Sequence, residues 1–204
     1  MSDGYEPDFF DPLSTADLTN IVCHAFERQP LVDLYQSIER FEGSGLYAIY
    51  YRGSSLPLYA PLARLDIPVY VGQAVSKSAT GRTAASRSPL FKRLGDHRTS
   101  IAGAGLPLAE FAFRALLMPS VHADLGEDGL RRGYRPVWNS VLNGFGGREQ
   151  GQSTRQSARS KWDTVHEGRN RTFGIAKHDP AVLREEVTAH ILEQVATYDD
   201  LPWR

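Results

Sequence analysis

A cation, an imidazole and a carboxylate are side chains that hydrolysis of a phosphate ester requires, and this sequence has a candidate for each. Arg93 and His97 are four residues apart, so on a helix they share one face. Arginine is a permanent planar cation suited to a phosphate on which negative charge develops, and histidine can accept or relay a proton near neutral pH. Glu127 can hold one hard divalent ion, Mg²⁺ or Mn²⁺, that keeps most of its waters. Metal-assisted hydrolysis of a phosphodiester needs these residue types. Taken singly, Arg93 and His97 also suit a solvated helix face, and Glu127 suits a carboxylate at a helix N-terminus.

Hydrophobic patterning predicts the elements that must position these side chains. Short runs rich in aromatic and β-branched residues predict strands at 45–51, 67–72 and 109–118. Apolar residues at helical spacing predict helices at about 14–30, 88–102, 120–133 and 180–198. We expect a loop or short irregular hairpin at 54–66 and a basic loop at 76–88. This order of elements predicts a small α+β layered domain.

Three local patterns follow one another along the chain. Gly45-Leu46-Tyr47 precedes Tyr70-Val71-Gly72, then come Arg93 and His97, and last come Glu127 and Tyr134-x-Pro136-x-Trp138-Asn139. In this order they resemble the GIY-YIG nuclease family, with leucine and valine as conservative replacements for isoleucine. The resemblance implies a central, mainly antiparallel sheet flanked by helices, with N- and C-terminal helical extensions.

Two further segments resemble one group within that family. The turn Asn143-Gly144-Phe145-Gly146 and the run Lys161-Trp162-Asp163-x-x-His166-x-Gly168-Arg169 are similar to the type II restriction endonucleases that read CCGCGG, the SacII isoschizomer group. The resemblance spans about 40–170. It implies a site-specific deoxyribonuclease that uses Mg²⁺, with Mn²⁺ as a substitute. A cognate DNA methyltransferase would be a functional, not a physical, partner in restriction-modification.

The resemblance also implies roles for individual residues. Tyr47 is the candidate general base, but a phenol with pKa near 10 is only about a thousandth ionised at neutral pH, so it needs cationic neighbours and a proton acceptor such as His97. Tyr70 would orient the scissile phosphate, and Asn139 would hydrogen-bond the metal shell or the phosphate. The candidate catalytic set is Tyr47, Tyr70, Arg93, His97, Glu127 and Asn139, with Glu127 as the metal ligand.

One position departs from the group's pattern. Gln73 follows the Tyr-Val-Gly run where the group commonly has a lysine, so one cation near the site is missing. Either Lys77 or Arg82 could replace it, and the sequence does not distinguish them.

Charge is segregated along the chain although the net charge is only −1. Residues 77–100 carry a net charge of +5 and residues 145–178 carry +4, whereas residues 1–44 carry −7. This pattern suits a cleft for a polyanion with acidic outer faces, although runs of charge are more often simply solvated surface. The resemblance implies that the polyanion is double-stranded DNA. The candidate DNA-binding residues are Lys77, Arg82, Arg87, Lys92, Arg98, Arg148, Arg155, Arg159 and Lys161.

We expect one endonuclease domain over 1–204. It comprises an N-terminal helical extension at 1–42, a catalytic core at 43–145, and a DNA-contacting loop with a C-terminal helix at 146–204. A palindromic target is matched most simply by a homodimer, with a tetramer as the alternative.

Several other classes are excluded. No apolar stretch is long enough for a membrane span and the N-terminus is acidic, so we expect a cytoplasmic protein. The single cysteine, Cys23, cannot form an internal disulfide, and the GxSxG, HExxH and GxxxxGK[ST] motifs do not occur. Two alternatives stay open: a structure-specific GIY-YIG repair nuclease, and a catalytically silent DNA-binding module.

Overall fold

One antiparallel sheet organises the chain, and its strand order is β1-β4-β2-β3. The computed structural model describes residues 15–76, 86–147, 158–169 and 176–203. The strands are β1 (Val32–Asp33), β2 (Gly45–Tyr51), β3 (Pro68–Ala74) and β4 (Phe111–Leu117). The predicted α+β class with a mainly antiparallel central sheet is confirmed.

The strand β2 lies in the interior of the sheet. All seven of its residues are buried, and it pairs with β3 on one side and with β4 on the other. Its aromatic and β-branched residues suit a strand that is covered on both faces. The strand β3 lies at one edge of the sheet. Side chains on both of its faces are therefore close to that edge.

Seven α-helices occur among the described residues, and they cover both faces of the sheet. They are α1 (Thr15–Glu27), α2 (Ala60–Ala63), α3 (Pro89–Gly103), α4 (Ser120–Tyr134), α5 (Val137–Ser140), α6 (Lys161–Val165) and α7 (Pro180–Ala196). The strands predicted at 45–51, 67–72 and 109–118 and the four predicted helices are all present, with ends shifted by up to three residues. Among the described residues, no helix is both long and apolar enough to cross a membrane.

Glycines in α4 bring that helix close to the sheet. A Cβ at Gly126 would lie within van der Waals overlap of the Leu46 and Val22 side chains, and one at Gly129 would overlap Thr19. The helix therefore packs more closely against β2 and α1 than larger residues would allow. Glu127, which follows Gly126, is carried on this closely packed helix.

Four short elements, β1, α2, α5 and α6, were not predicted from the sequence. The segment expected to be a loop or hairpin contains α2, which has proline in its first turn. The strand β1 has only two residues, and α6 is capped by Ser160, whose side chain accepts a hydrogen bond from the Asp163 backbone nitrogen. All four are too short to produce a recognisable hydrophobic period. The DNA-contacting loop predicted after residue 146 lies partly outside the described residues, since 148–157 are not among them.

Candidate active site

Three candidate catalytic side chains meet on one face of the sheet. The hydroxyl of Tyr47 on β2 lies 2.7 Å from Nε2 of His97 on α3. Arg93, one helical turn before His97, donates from Nε to the same hydroxyl at 3.3 Å. Arg93 and His97 share one face of α3, as predicted, and that face contacts Tyr47.

The register of β2 and β3 places the second tyrosine in this cluster. Tyr47 lies opposite Gly72, and Ile49 lies opposite Tyr70. Residues two apart on a strand share a face, so both tyrosines point the same way, and their ring centroids are 6.1 Å apart. Gly72 provides the space for this contact, because a Cβ there would lie 2.5 Å from the Tyr47 hydroxyl.

The turn at Gly144–Gly147 packs against Arg93, His97 and Tyr70. Arg93 donates from Nη2 to the carbonyl oxygen of Gly146 at 2.9 Å, and the Phe145 ring stacks on the imidazole of His97 with centroids 4.6 Å apart. A Cβ at Gly146 would lie 2.5 Å from the Tyr70 hydroxyl. The glycines of this turn therefore allow the backbone to touch the side chains directly.

Burial sets the protonation state of Tyr47. Burial is the largest influence and raises the pKa of the phenol, the neighbouring Tyr70 raises it further, and Arg93 opposes both. The net result is a pKa well above the ordinary value, so Tyr47 is a neutral phenol at neutral pH. Arg93 is the predicted cation beside Tyr47 and His97 is the predicted proton acceptor, but they do not ionise the phenol.

Glu127 lies on the other side of the edge strand. Gln73 pairs with Leu46 and so faces α4, where its side chain donates to Asp124 and also contacts Glu127. Burial, the largest influence, raises the pKa of Glu127, and Asp124 raises it further; Arg131, Gln73 and Arg93 lower it. The influence of Arg93 on this pKa is the smallest of these.

These residues fit a hard divalent cation. Glu127 is 20% exposed at its side chain, so its carboxylate can reach a hydrated ion. The Gln73 side-chain oxygen is buried and has no hydrogen-bond partner within the described part of the chain. Carboxylate and amide oxygens are the donors that Mg²⁺ prefers. Glu127 would bind the ion, with Gln73 and Asp124 beside it.

Asn139 has a contact that the sequence did not predict. Its side-chain oxygen accepts from the Val71 backbone nitrogen at 2.8 Å, and its side-chain nitrogen donates to the Val71 carbonyl at 2.9 Å. The amide thus pairs with the outer edge of β3 as a neighbouring strand would, between Tyr70 and Gly72. In this arrangement Asn139 holds the strand that carries Tyr70. From the sequence we expected its amide to hydrogen-bond the metal shell or the phosphate.

The predicted DNA-binding residues fall into two groups. Lys77, Arg82, Arg148 and Arg155 lie outside the described residues. Among the others, Lys92 is exposed, Arg87 pairs with Glu42, Arg159 with Glu167 and Lys161 with Glu186. Arg98 donates to the backbone carbonyls of Tyr35 and Gln36, so it also attaches α3 to the segment after β1.

Sequence reasoning did not assign a role to Asp163 or Arg169. Both lie in the run from Lys161 to Arg169 whose resemblance was recognised, and they form a buried ion pair of 2.6 Å. Arg169 also donates to the carbonyls of Gly144 and Phe145. The resemblance of this run was the one sequence feature that pointed to these two residues. The contact between Arg169 and the turn depends on tertiary structure.

Comparison with known proteins is consistent with this geometry. A family model described as the Eco29kI GIY-YIG domain matches residues 39–198, which is well over half of the chain. No curated protein matches the chain.

Proposed function

Because the chain belongs to the Eco29kI GIY-YIG domain family, we propose that it is a type II restriction endonuclease that hydrolyses DNA at the palindrome CCGCGG. The observation that carries the proposal is the hydrogen-bonded cluster of Tyr47, His97 and Arg93. The choice of CCGCGG rests on the similarity of 143–146 and 161–169 to enzymes that read that site.

Tyr47 and His97 act as one proton acceptor. The phenol is neutral at rest, so it serves as a relay: its oxygen takes a proton from the attacking water while its own proton passes to Nε2 of His97. Arg93 stabilises the negative charge that develops on the phenol oxygen during the transfer. Since Tyr47 has no exposed surface, a water reaches it only when neighbouring groups shift, and we expect that shift to accompany DNA binding.

Arg93 and Tyr70 bind the scissile phosphate. Both are partly exposed, whereas Tyr47 and His97 are buried beneath them. A preorganised guanidinium aimed at a developing phosphoryl charge is worth about 3–4 kcal/mol. A divalent ion held by Glu127 would neutralise phosphate charge and assist departure of the 3′ oxygen. Asn139 acts on the same site by holding β3.

DNA recognition requires further groups. Guanines in a G/C-only site are read best by arginine or lysine donors on O6 and N7 in the major groove, and most other basic contacts go to phosphates. The candidates are Arg82, Arg87, Arg148, Arg155 and Arg159, with Lys77, Lys92, Arg98 and Lys161 as phosphate contacts. A homodimer would present one such set to each half-site.

Plasmid cleavage tests the proposal. Purified protein is incubated with plasmids that carry or lack one CCGCGG, with Mg²⁺ or with EDTA, and the ends are mapped. Glu127→Gln is the test variant, and Asp128→Asn is its matched control, because Asp128 is the next residue on α4 and its side chain is largely exposed. We expect Mg²⁺-dependent cutting at CCGCGG that Glu127→Gln abolishes and Asp128→Asn preserves.

Other outcomes identify the alternatives. Cutting at another fixed sequence would keep the mechanism and reject CCGCGG. Cutting directed by branches or flaps would indicate a structure-specific nuclease, and binding without cutting under any condition would indicate a silent DNA-binding module.

A further inference from the structure

Arg169 forms an unusually complete set of contacts for a buried cation. Its side chain is 5% exposed and that of its partner Asp163 is 2% exposed. Nε donates to Asp163, Nη1 donates to the Phe145 carbonyl at 3.0 Å, and Nη2 donates to the Gly144 carbonyl at 3.2 Å. The guanidinium also lies over the Trp162 ring, 4.2 Å from its centroid. All three guanidinium nitrogens therefore bind defined partners.

The two carbonyls that Arg169 binds belong to the turn that touches the candidate active site. The next carbonyl in the chain, that of Gly146, accepts the hydrogen bond from Arg93, and the Phe145 ring stacks on His97. Phe145 also packs against Tyr70 with centroids 5.1 Å apart. The turn thus contacts three candidate catalytic residues on one side and Arg169 on the other.

Additional contacts connect this turn to the segment that carries Arg169. The Trp162 backbone nitrogen donates to the Asn143 carbonyl at 3.1 Å, and Gly144 packs so closely on Ser160 that a Cβ would overlap it. Ser160 donates to the second oxygen of Asp163 at 2.6 Å, which holds that carboxylate in place for Arg169. Residues 160–169 therefore form a support behind the turn.

We propose that Arg169 is a positioning residue for the reaction: it fixes the Gly144–Gly146 backbone so that the Gly146 carbonyl orients Arg93. The inference rests on the proposed nuclease function, because it assigns Arg93 to the scissile phosphate. Arginine is required since a lysine has a single nitrogen and cannot bind a carboxylate and two separate carbonyls in a planar fork. A misplacement of about 1 Å in a catalytic group can reduce the rate about a hundredfold.

A second buried pair supplies a matched control. Arg114 binds Glu27 at 2.8 Å with both side chains 11% exposed, and its guanidinium lies over the Tyr50 ring. This pair joins β4 to α1, and Arg114 lies opposite Ala48 in the sheet, so its side chain is on the other face of the sheet from Tyr47. Arg114→Lys therefore disturbs a buried arginine of the same kind without disturbing the turn.

The experiment compares Arg169→Lys with Arg114→Lys at a temperature below both unfolding midpoints. Single-turnover cleavage is measured over a range of protein concentration, which separates the maximal rate from the concentration for half-saturation. We expect Arg169→Lys to lower the maximal rate about tenfold to a hundredfold, with half-saturation changed less than threefold. Arg114→Lys should keep the wild-type rate. Equal rates for the two variants would overturn the proposal, since a purely structural role predicts no difference.

A crystal structure of Arg169→Lys provides a readout that does not depend on activity. We expect the distance from Arg93 Nη2 to the Gly146 oxygen to exceed 3.5 Å, and an unchanged contact would overturn the proposal. If the wild-type protein cuts no DNA, the proposed function fails and this distance still decides the positioning role. If Arg169→Lys does not fold, Asp163→Asn replaces it in both measurements, because it removes the charge that orients Arg169 and keeps a similar shape.

Discussion

The hydroxyl of Tyr47 and Nε2 of His97 lie 2.7 Å apart, although fifty residues separate them in the sequence. Tyr47 comes from the interior strand of the sheet and His97 from the helix α3, and both side chains are buried. Burial keeps the phenol protonated, so this hydrogen bond is the route by which its proton can leave. The pair, and not an ionised tyrosine, is the unit that can accept a proton.

Removing either member of the pair should remove the same function. We expect Tyr47→Phe and His97→Leu each to reduce the cleavage rate at least about a hundredfold, and the double variant to be no slower than the slower single variant. Single-turnover rates measured on all four proteins test this. Tyr51→Phe is the control, because Tyr51 is a buried tyrosine on the same strand whose hydroxyl donates to Glu110 at 2.5 Å, away from the site. Additive losses from the two site variants would show that the residues act separately.

Two glycine-to-alanine changes should have opposite effects. Gly72→Ala places a methyl group 2.5 Å from the Tyr47 hydroxyl, so we expect about 1–3 kcal/mol less stability and a loss of cleavage. Gly95→Ala lies in α3, where the new methyl group meets no atom within 4 Å apart from its chain neighbours and the adjacent helix backbone, so we expect a gain of about 0.5–1 kcal/mol and normal cleavage. Urea unfolding and cleavage rates measure both effects. A Gly72→Ala protein that is stable and active would contradict the packing of Tyr47 described above.

A lysine at position 73 should change the pH dependence of cleavage. Burial raises the pKa of Glu127, so cleavage should fail in acid at a higher pH than for a solvated glutamate. Gln73→Lys adds a cation beside Asp124 and Glu127, which lowers that pKa and moves the acid limb of the rate profile to lower pH. The same cation repels a divalent ion, so the half-saturating Mg²⁺ concentration should rise. Gln36→Lys is the control, because Gln36 also bonds to an aspartate, Asp33, but on the exposed surface. If both variants shift the profile equally, the effect comes from net charge and not from Glu127.

His166 should make the protein sensitive to mild acid. Its Nε2 is 2.7 Å from the Tyr59 hydroxyl, and burial, followed by Arg184 and Arg169, lowers its pKa to about 3. The unfolded chain takes up this proton at about pH 6.5, so the stabilising contribution is present above pH 6.5 and is lost as the pH falls toward 3. Between pH 7 and pH 5 the wild type should therefore lose about 2 kcal/mol more than His166→Gln. Urea unfolding at the two pH values measures the difference, and the exposed His122→Gln should behave like the wild type.

Local patterns were sufficient to predict much of the fold. The strands at Gly45–Tyr51 and Phe111–Leu117 and the helix at Pro89–Gly103 contain enough residues for their periodicity to be read directly. The same periodicity determined that Arg93 and His97 share a face, because that relation depends only on the helical repeat. By contrast, β1, α2 and α6 have two to five residues each, and tertiary contacts stabilise them.

The sequence by itself determined which residue types are available and in what order, and these indicated a nuclease and its family. Only the tertiary structure decided that Asn139 pairs with Val71, that Gln73 contacts Asp124, and that Arg169 supports the Gly144–Gly146 turn. The physical reason is that such contacts depend on strand register and on packing between segments distant in the chain. A spacing along one element specifies a shared face, but it does not specify what that face meets.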